Sequence, residues 1–371
     1  MGYVPVKGGT QAIDASIMRL TYERLKGQEI LELDTILATM GSLVDQVMSE
    51  SSLYSPELAA LAIKQGEGSM EEAVFLMRAH RSTLPRHYYS ETVEAEMMLV
   101  ERRISASFKD IPGGQLLGAT YDYTHRLLDF GLLEESPETN HAWLQEYKKS
   151  LSAVQSSKEV VYFPKVVDYL RKEGLFETYE PDDAPPTDVT KQSLEFPTTR
   201  SARLQVLTRG QTGAVTSFGY ASLRGYGQVH PTVGEVRVGK VPIYTRHSNE
   251  VDQDPEDQFY VGEIRLTEVE SFVPVSKKND ENEDALDFEI GYGVCYGQNE
   301  TKAIAMSILD QCLEHPNSTF PTHDEEFVLL HIDSVESSGF ISHLKLPHYV
   351  TFQSKLDSIR QVKKGVAEIE S

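Results

Sequence analysis

One short stretch constrains this chain more than any other. Glu180-Pro-Asp-Asp-Ala-Pro-Pro-Thr-Asp188 concentrates proline and like charge. Both oppose a packed core, so the segment reads as a linker. The polar run that ends in it, 134–188, carries 12 acidic and 6 basic residues. The texture of the sequence differs on its two sides.

Ahead of it, the first ~150 residues read as mostly helical. Ser55-Pro56-Glu57 is a helix start, with a capping side chain followed by proline at the first helical position. Leu58, Leu61, Ala62 and Gln65 follow at helical spacing. Ser69 and Glu72 form a capping box before Ala73, Val74, Leu76 and Met77. Helices with one apolar stripe must pack on something, so a helical bundle or layer is expected.

Beyond Arg200 the composition turns β-rich. Val215–Ala221, Glu235–Val238 and Phe288–Val294 have strand composition. Glu263–Thr267 alternates, then slips phase at Val269, which predicts a bulge or a strand end there. Ala303–Leu313 reads as a helix with Ile304, Ala305, Ile308, Leu309 and Cys312 inward, closed by Pro316. Phe327–Leu330 reads as a buried strand and Leu356–Glu370 as a solvated terminal helix. The expected fold class is α+β. Residues 1–150 form a mainly helical N-terminal domain, 151–195 an acidic variable segment with the Pro-rich linker, and 196–371 an α+β domain with anion and metal sites.

Charge narrows the function. The chain has 35 Lys+Arg against 57 Asp+Glu, a net charge of −22. That disfavours non-specific nucleic-acid binding and docking on anionic lipid, both of which draw on a basic excess. No apolar run approaches the ~20 residues of a membrane-spanning helix. Lys7, Asp14, Arg19 and Arg24 leave no apolar core for a signal peptide. Cys295 and Cys312 alone make neither a disulfide framework nor a four-cysteine metal site, and both are expected to be buried. The expected compartment is the cytoplasm.

Three blocks can carry chemistry. Glu101–Gln115 and Leu117–Arg126 hold Arg102, Arg103, Lys109 and Arg126, with Gly113-Gly114 able to bring backbone amides close to an anion. The same block also fits a polar loop with surface ion pairs, and it lacks the Gly-Lys-Ser/Thr ending of a Walker motif. The second block, Arg200–Lys240, holds Arg200, Arg203, Arg209, Arg224, Arg237 and Lys240 against the single acid Glu235, a local excess of five positive charges. Arginine forks suit phosphate and phosphonate oxygens; scattered surface arginines are the other reading. The third block is Asp324-Glu325-Glu326, with His331 and Asp333 on one strand face and His343 and His348 beyond. The last two, with Pro347 between, do not share a regular helix face. On a turn they can converge on a metal, but two ligands fill only half a tetrahedral shell. Tyr121, Tyr123, Tyr220 and Tyr226 can stack a purine or pack in the core.

These blocks, in this order, resemble the I subunit of the bacterial carbon–phosphorus lyase core complex, the PhnI phosphonate-metabolism family. The matching stretches are Tyr3–Gly9, Ala12–Asp14, Glu101–Ala106, Lys109–Gly118 and Thr120–Phe130, then Arg224–Gly227, His230-Pro231 and Gly234-Glu235, then Asp324–Leu329 and Gly339–Val350. The match spans nearly the whole chain. It departs mainly over about 134–190 and 246–289, acidic stretches taken as variable surface.

The resemblance implies an enzyme that cleaves the N-glycosidic bond of ATP or GTP. With companion G, H and L subunits it transfers the ribose triphosphate of ATP to methylphosphonate, releasing adenine and giving α-D-ribose 1-methylphosphonate 5-triphosphate. The partners implied are the G, H and J subunits of the core complex, with L for transfer. The J subunit performs the later radical cleavage with an iron–sulfur cluster. His343 and His348 are implied to bind Zn2+ at the contact with J, and Mg2+ is expected with ATP. Cleavage at C1′ builds positive charge on the ribose, which a carboxylate stabilises. Asp122, Glu235, Asp324, Glu325 and Glu326 are the catalytic nominees, with no choice among them. Arg102, Arg103, Gly113, Gly114, Arg200, Arg203, Arg224 and Arg237 are the nominees for substrate. Two other readings compete. In one, the chain is a non-catalytic scaffold completing a site on J. In the other it is a stand-alone metal hydrolase, ranked last because two ligands are too few.

Overall fold

The computed structural model describes residues 8–106, 114–153, 163–176, 184–227, 230–246, 258–278, 284–345 and 349–369. The order of elements is α1 (Gly9–Leu25), α2 (Leu33–Thr39), α3 (Gly41–Ser51), α4 (Pro56–Gln65), α5 (Met70–Thr83), β1 (Leu99–Ser105), α6 (Pro137–Ala153), α7 (Val166–Lys172), α8 (Arg200–Arg209), α9 (Thr212–Ala221), β2 (Thr232–Arg246), β3 (Gln258–Lys278), β4 (Asp284–Tyr296), α10 (Glu300–Glu314), α11 (Glu325–His331), α12 (Ser334–Ser342) and α13 (Tyr349–Ile369). The chain is α+β with a helical N-terminal part, as the sequence predicts.

The helix starts fall where the sequence places them. Ser55 Oγ accepts from Leu58 N with Pro56 in the first turn, and Ser69 Oγ accepts from Glu72 N. Helices α2–α5 bury one face each in a core of Ile36, Val47, Met48, Ala59, Ile63, Val74 and Met77. Each large aliphatic side chain buried there contributes about 1.5–3 kcal/mol.

The four strands form one antiparallel meander, β1-β2-β3-β4. Its first strand comes from the N-terminal half of the chain, so the sheet ties that half to the rest. α10 lies on one face of the sheet and is buried along most of its length, with Met306, Leu309 and Leu313 against Val236, Val269 and Cys295. Both cysteines are buried and free. Close approach of α10 to β4 depends on Gly293, where a Cβ would stand 2.0 Å from the carbonyl oxygen of Ala303. Gly293→Ala is therefore expected to cost at least about 1–3 kcal/mol, as overpacking does, read as a lowered urea midpoint.

Three local expectations are corrected. Val215–Ala221 is helical, within α9, because tertiary packing overrides its β-branched and aromatic composition. Gly219 lets that helix ride on α10, where a Cβ would lie 2.8 Å from the Cβ of Ala305. Phe327–Leu330 is also helical, within α11. A four-residue apolar run does not discriminate helix from strand, and the cap decides: Asp324 Oδ1 accepts from Phe327 N at 2.9 Å. His331 therefore ends a helix and Asp333 caps α12; they share no strand face. Finally, β3 neither ends nor bulges at Val269, which pairs regularly with Val236. The alternation slips because both faces of β3 are covered there: Val269 packs toward α10 while Glu268 and Glu270 are buried on the other side.

A buried carboxylate pair at a cavity by the sheet edge

The face of the sheet away from α10 carries charge where a core would normally be apolar. The register sets Arg103 of β1 opposite Arg237 of β2, and Arg237 opposite Glu268 of β3. The next row sets Glu235 opposite Glu270, and Glu270 opposite Tyr292 of β4. Arg103, Glu235, Arg237, Glu268 and Glu270 are all buried. Two arginines face to face repel, and the intervening carboxylates resolve the conflict. Arg103 Nε is 2.5 Å from Glu235 Oε1, and Arg237 donates to Glu268 through Nη2 and, at 3.1 Å, through Nε.

Lys165, just before α7, adds the third cation. Its Nζ lies 3.0 Å from Glu268 Oε1 and 2.5 Å from Glu270 Oε1. The segment is pinned by Glu235, whose Oε2 accepts from Val166 N at 3.0 Å. Tyr292 Oη donates to Glu268 Oε1 at 2.9 Å. Three cations thus meet three carboxylates. Two buried atoms of this cluster, Glu270 Oε2 and Arg237 Nη1, have no hydrogen-bond partner among the described residues.

The two β3 carboxylates differ electrostatically. Burial pushes Glu268 up, but Arg237 and Lys165 outweigh it and hold its carboxyl down near about 2. Burial pushes Glu270 up to about 7; Lys165 opposes that and the charge of Glu268 reinforces it. One stays ionised and the other takes a proton easily, a division seen where two carboxyls serve different roles.

Lys165, Glu268, Glu270 and Tyr292 line a cavity of about 820 Å3 at the free edge of β4. Phe176, Leu204, Phe288 and Ile290 give it an apolar wall, and Arg171, Arg200 and His315 stand at its rim, each beside an acid: Asp168, Glu314 and Glu289. Arg200 is held there by Asp310, with Nη2 2.6 Å from Oδ2.

The nominated residues distribute as follows. Arg103, Glu235 and Arg237 meet in the buried ladder, and Arg200 stands at the rim of the cavity. Arg102 points to the other side of β1, pairing with Asp122 and Glu300. Arg203 pairs with Glu314 and lies 3.6 Å from Glu325, which also accepts from Thr198 N at 3.1 Å. Asp324 caps α11, and Glu326 is exposed beside it. Arg224 is exposed over the ring of Tyr220. Tyr121, Tyr123, Tyr220 and Tyr226 are all exposed. Gly114 has a φ of 60°; Gly113 lies outside the described residues.

The sequence reading missed Lys165, Glu268, Glu270 and Tyr292. It took the acidic stretch around β3 for surface, yet Glu268 and Glu270 are buried within it. The available signal was the spacing Glu268-Val-Glu270, two acids on one strand face beside an apolar residue on the other.

No group of three or more His, Cys, Asp or Glu among the described residues is arranged to hold a metal ion. His343 is half-buried against the Phe340 carbonyl, and His348 lies outside the described residues. No described helix is long and apolar enough to cross a membrane.

Comparison with known proteins identifies the lineage. Residues 2–366 match the family model of the bacterial phosphonate metabolism protein PhnI. The chain belongs to the PhnI family. It is 42% identical over 373 residues to the α-D-ribose 1-methylphosphonate 5-triphosphate synthase subunit PhnI of Rhizobium meliloti (strain 1021), covering 98% of this chain and 95% of the relative. It is 41% identical over 370 residues to the subunit of the same name from Escherichia coli (strain K12), covering 98% of each. A putative C-P lyase subunit protein, HtxH, of Stutzerimonas stutzeri is 43% identical over 366 residues, covering 97% of this chain and 95% of the relative. The PhnI match thus takes in the charged ladder and the cavity beside it as well as the motif blocks read from the sequence.

Proposed function

We propose that this chain is the I subunit of an α-D-ribose 1-methylphosphonate 5-triphosphate synthase. It breaks the bond from C1′ of ATP to adenine while a methylphosphonate oxygen attacks C1′. Family membership and the names of the relatives support the reaction class. The observation that carries the site is Glu268, buried and held by Lys165, Arg237 and Tyr292, at a cavity large enough for a nucleotide.

The chemistry follows from charge. As the glycosidic bond lengthens, positive charge develops on the ribose, and a fixed anion nearby stabilises it more than it stabilises the neutral ground state. Glu268 supplies that anion without reorganising, because three donors already orient it. The aromatic and aliphatic wall of Phe176, Phe288 and Ile290 suits the purine, and Arg200 at the rim suits phosphate oxygens. Attack from the face opposite adenine converts the β-nucleotide to the α-product by inversion. Mg2+ arrives as part of the ATP complex. The same site hydrolyses ATP or GTP when water replaces phosphonate, which is the nucleosidase activity.

The partners in this reading are the G, H and J subunits, with L for transfer, and zinc binds where His343 and His348 meet J. Exposed apolar side chains support assembly: Leu127, Leu128 and Leu133 are each more than four-fifths exposed, and Phe340 and Ile341 are exposed near His343. A supply of ATP makes the cytoplasm the working compartment.

Chromatography of ATP plus methylphosphonate, incubated with the assembled subunits, is expected to show adenine and a ribosyl phosphonate. With phosphonate omitted, the chain is expected to yield adenine and ribose 5-triphosphate. Folded, assembled protein that releases no adenine under any subunit combination would sink this reading.

A further inference from the structure

We propose that Glu270 is the general acid of the cavity, donating its carboxyl proton to N7 of the departing purine. This deepens the ribosyl-transfer reading and rests on it. Glu270 is buried on β3, lines the cavity and uses one oxygen to accept from Lys165 Nζ at 2.5 Å. Its other oxygen has no hydrogen-bond partner among the described residues. A buried carboxyl oxygen left unpartnered costs free energy unless a ligand or a proton uses it. Glu268 and Glu270 occupy the same face of one strand, two residues apart, so both reach one bound sugar and base.

The charge balance favours the proton on Glu270. The groups facing it are Lys165, Asp168 and Arg171 from the α7 segment, Glu235 and Arg237 from β2, Glu268 from β3 and Tyr292 and Glu289 from β4. Across the cavity stand Glu94 and Glu96, Arg200 from α8, and Glu314 and His315 from α10. Acids outnumber bases among them, and Glu268 keeps its charge because Arg237 holds it. Burial has already pushed Glu270 up to about 7, and a bound polyanionic nucleotide adds to that tendency.

The C1′–N9 electron pair leaves with the purine as N7 takes the Glu270 proton. A phosphonate oxygen forms the new bond to C1′. Glu270, now a carboxylate, is reprotonated by the proton that the methylphosphonate monoanion gives up on esterification. No oxidant, reductant or further co-reactant is needed. An acid of this kind contributes about 10²–10⁴-fold.

The test compares ATP with 7-methyladenosine 5′-triphosphate in the assembled complex, with phosphonate omitted so that water is the nucleophile. The second nucleotide carries a base that is a fixed cation, with no N1 proton to lose near neutral pH, and it leaves without protonation. Glu270→Gln is expected to lower adenine release from ATP by about 10²–10⁴-fold while changing 7-methyladenine release by less than about tenfold. In the unmodified complex, adenine release should fall as pH rises above about 7, and 7-methyladenine release should not show that limb. The pH comparison needs no variant, so it decides the matter even if Glu270→Gln fails to assemble. Equal losses on both nucleotides, or the same high-pH limb for both, would overturn the assignment of Glu270 alone. A complex that releases purine from neither nucleotide overturns the ribosyl-transfer reading and this inference with it.

Discussion

Adenine release from ATP and methylphosphonate is expected to fall by about 10²–10³-fold when Glu268 is replaced by glutamine, the loss typical of removing one preorganised charge-stabilising group from a transition state. The substitution keeps the shape of the side chain and removes its charge. In the native protein Arg237 and Lys165 hold that charge in place, and Tyr292 donates a third hydrogen bond to it. A neutral amide at the same position offers nothing to the positive charge that develops at C1′. The loss should appear in kcat more than in KM, because the interaction strengthens only as the bond breaks. Initial rates at saturating substrate, with assembly checked by size-exclusion chromatography, measure it. A variant that assembles and turns over ATP at the native rate would remove Glu268 from the mechanism.

Arg103→Met is expected to be the most damaging single change to stability, at about 3–5 kcal/mol, because it strands a buried charge. Arg103 and Glu235 are both almost completely buried, and their side chains meet at 2.5 Å. Glu235 would keep its bond from Val166 N and a long 4.0 Å contact with Arg237 Nε, and its Oε1 would lose the Arg103 guanidinium. Since the Val166 bond fixes the start of α7, Lys165 should loosen too, and with it the clamp on Glu268 and Glu270. The double variant Arg103→Met, Glu235→Leu removes both charges and is expected to recover much of the loss. Urea midpoints of the two variants check this; a double variant no more stable than the single one would show that packing, not the uncompensated charge, dominates.

The sequence carried some features of this site and hid others for definite physical reasons. Arg103, Glu235 and Arg237 were found because they lie in dense motif blocks, one of them locally basic. Lys165, Glu268 and Glu270 were missed because they lie in acidic stretches that look solvated. A buried acid and an exposed acid are the same letter; only a partner distinguishes them, and here each partner lies far along the chain. Lys165 is 103 residues from Glu268. The converse error is instructive as well. Asp324, Glu325 and Glu326 form a conspicuous acidic run, yet Asp324 is spent on a helix cap and Glu325 on Thr198.

What the sequence by itself determined was local or cumulative. Capping residues set the starts of α4 and α5, since a cap needs only its own next turn. The long motif blocks set the family, since their order along nearly the whole chain does not depend on how it folds. What only the tertiary structure decided was everything that needed two distant segments at once. It turned Val215–Ala221 into a helix, where close packing of Gly219 on α10 outvoted composition. It also fixed the strand register that sets Arg237 against Glu268 and Glu235 against Glu270. A strand's side chains alternate whatever it pairs with, but which charge faces which is a property of the pairing. The cavity and the unequal proton affinities of its two carboxyls follow from that pairing and from the burial it imposes.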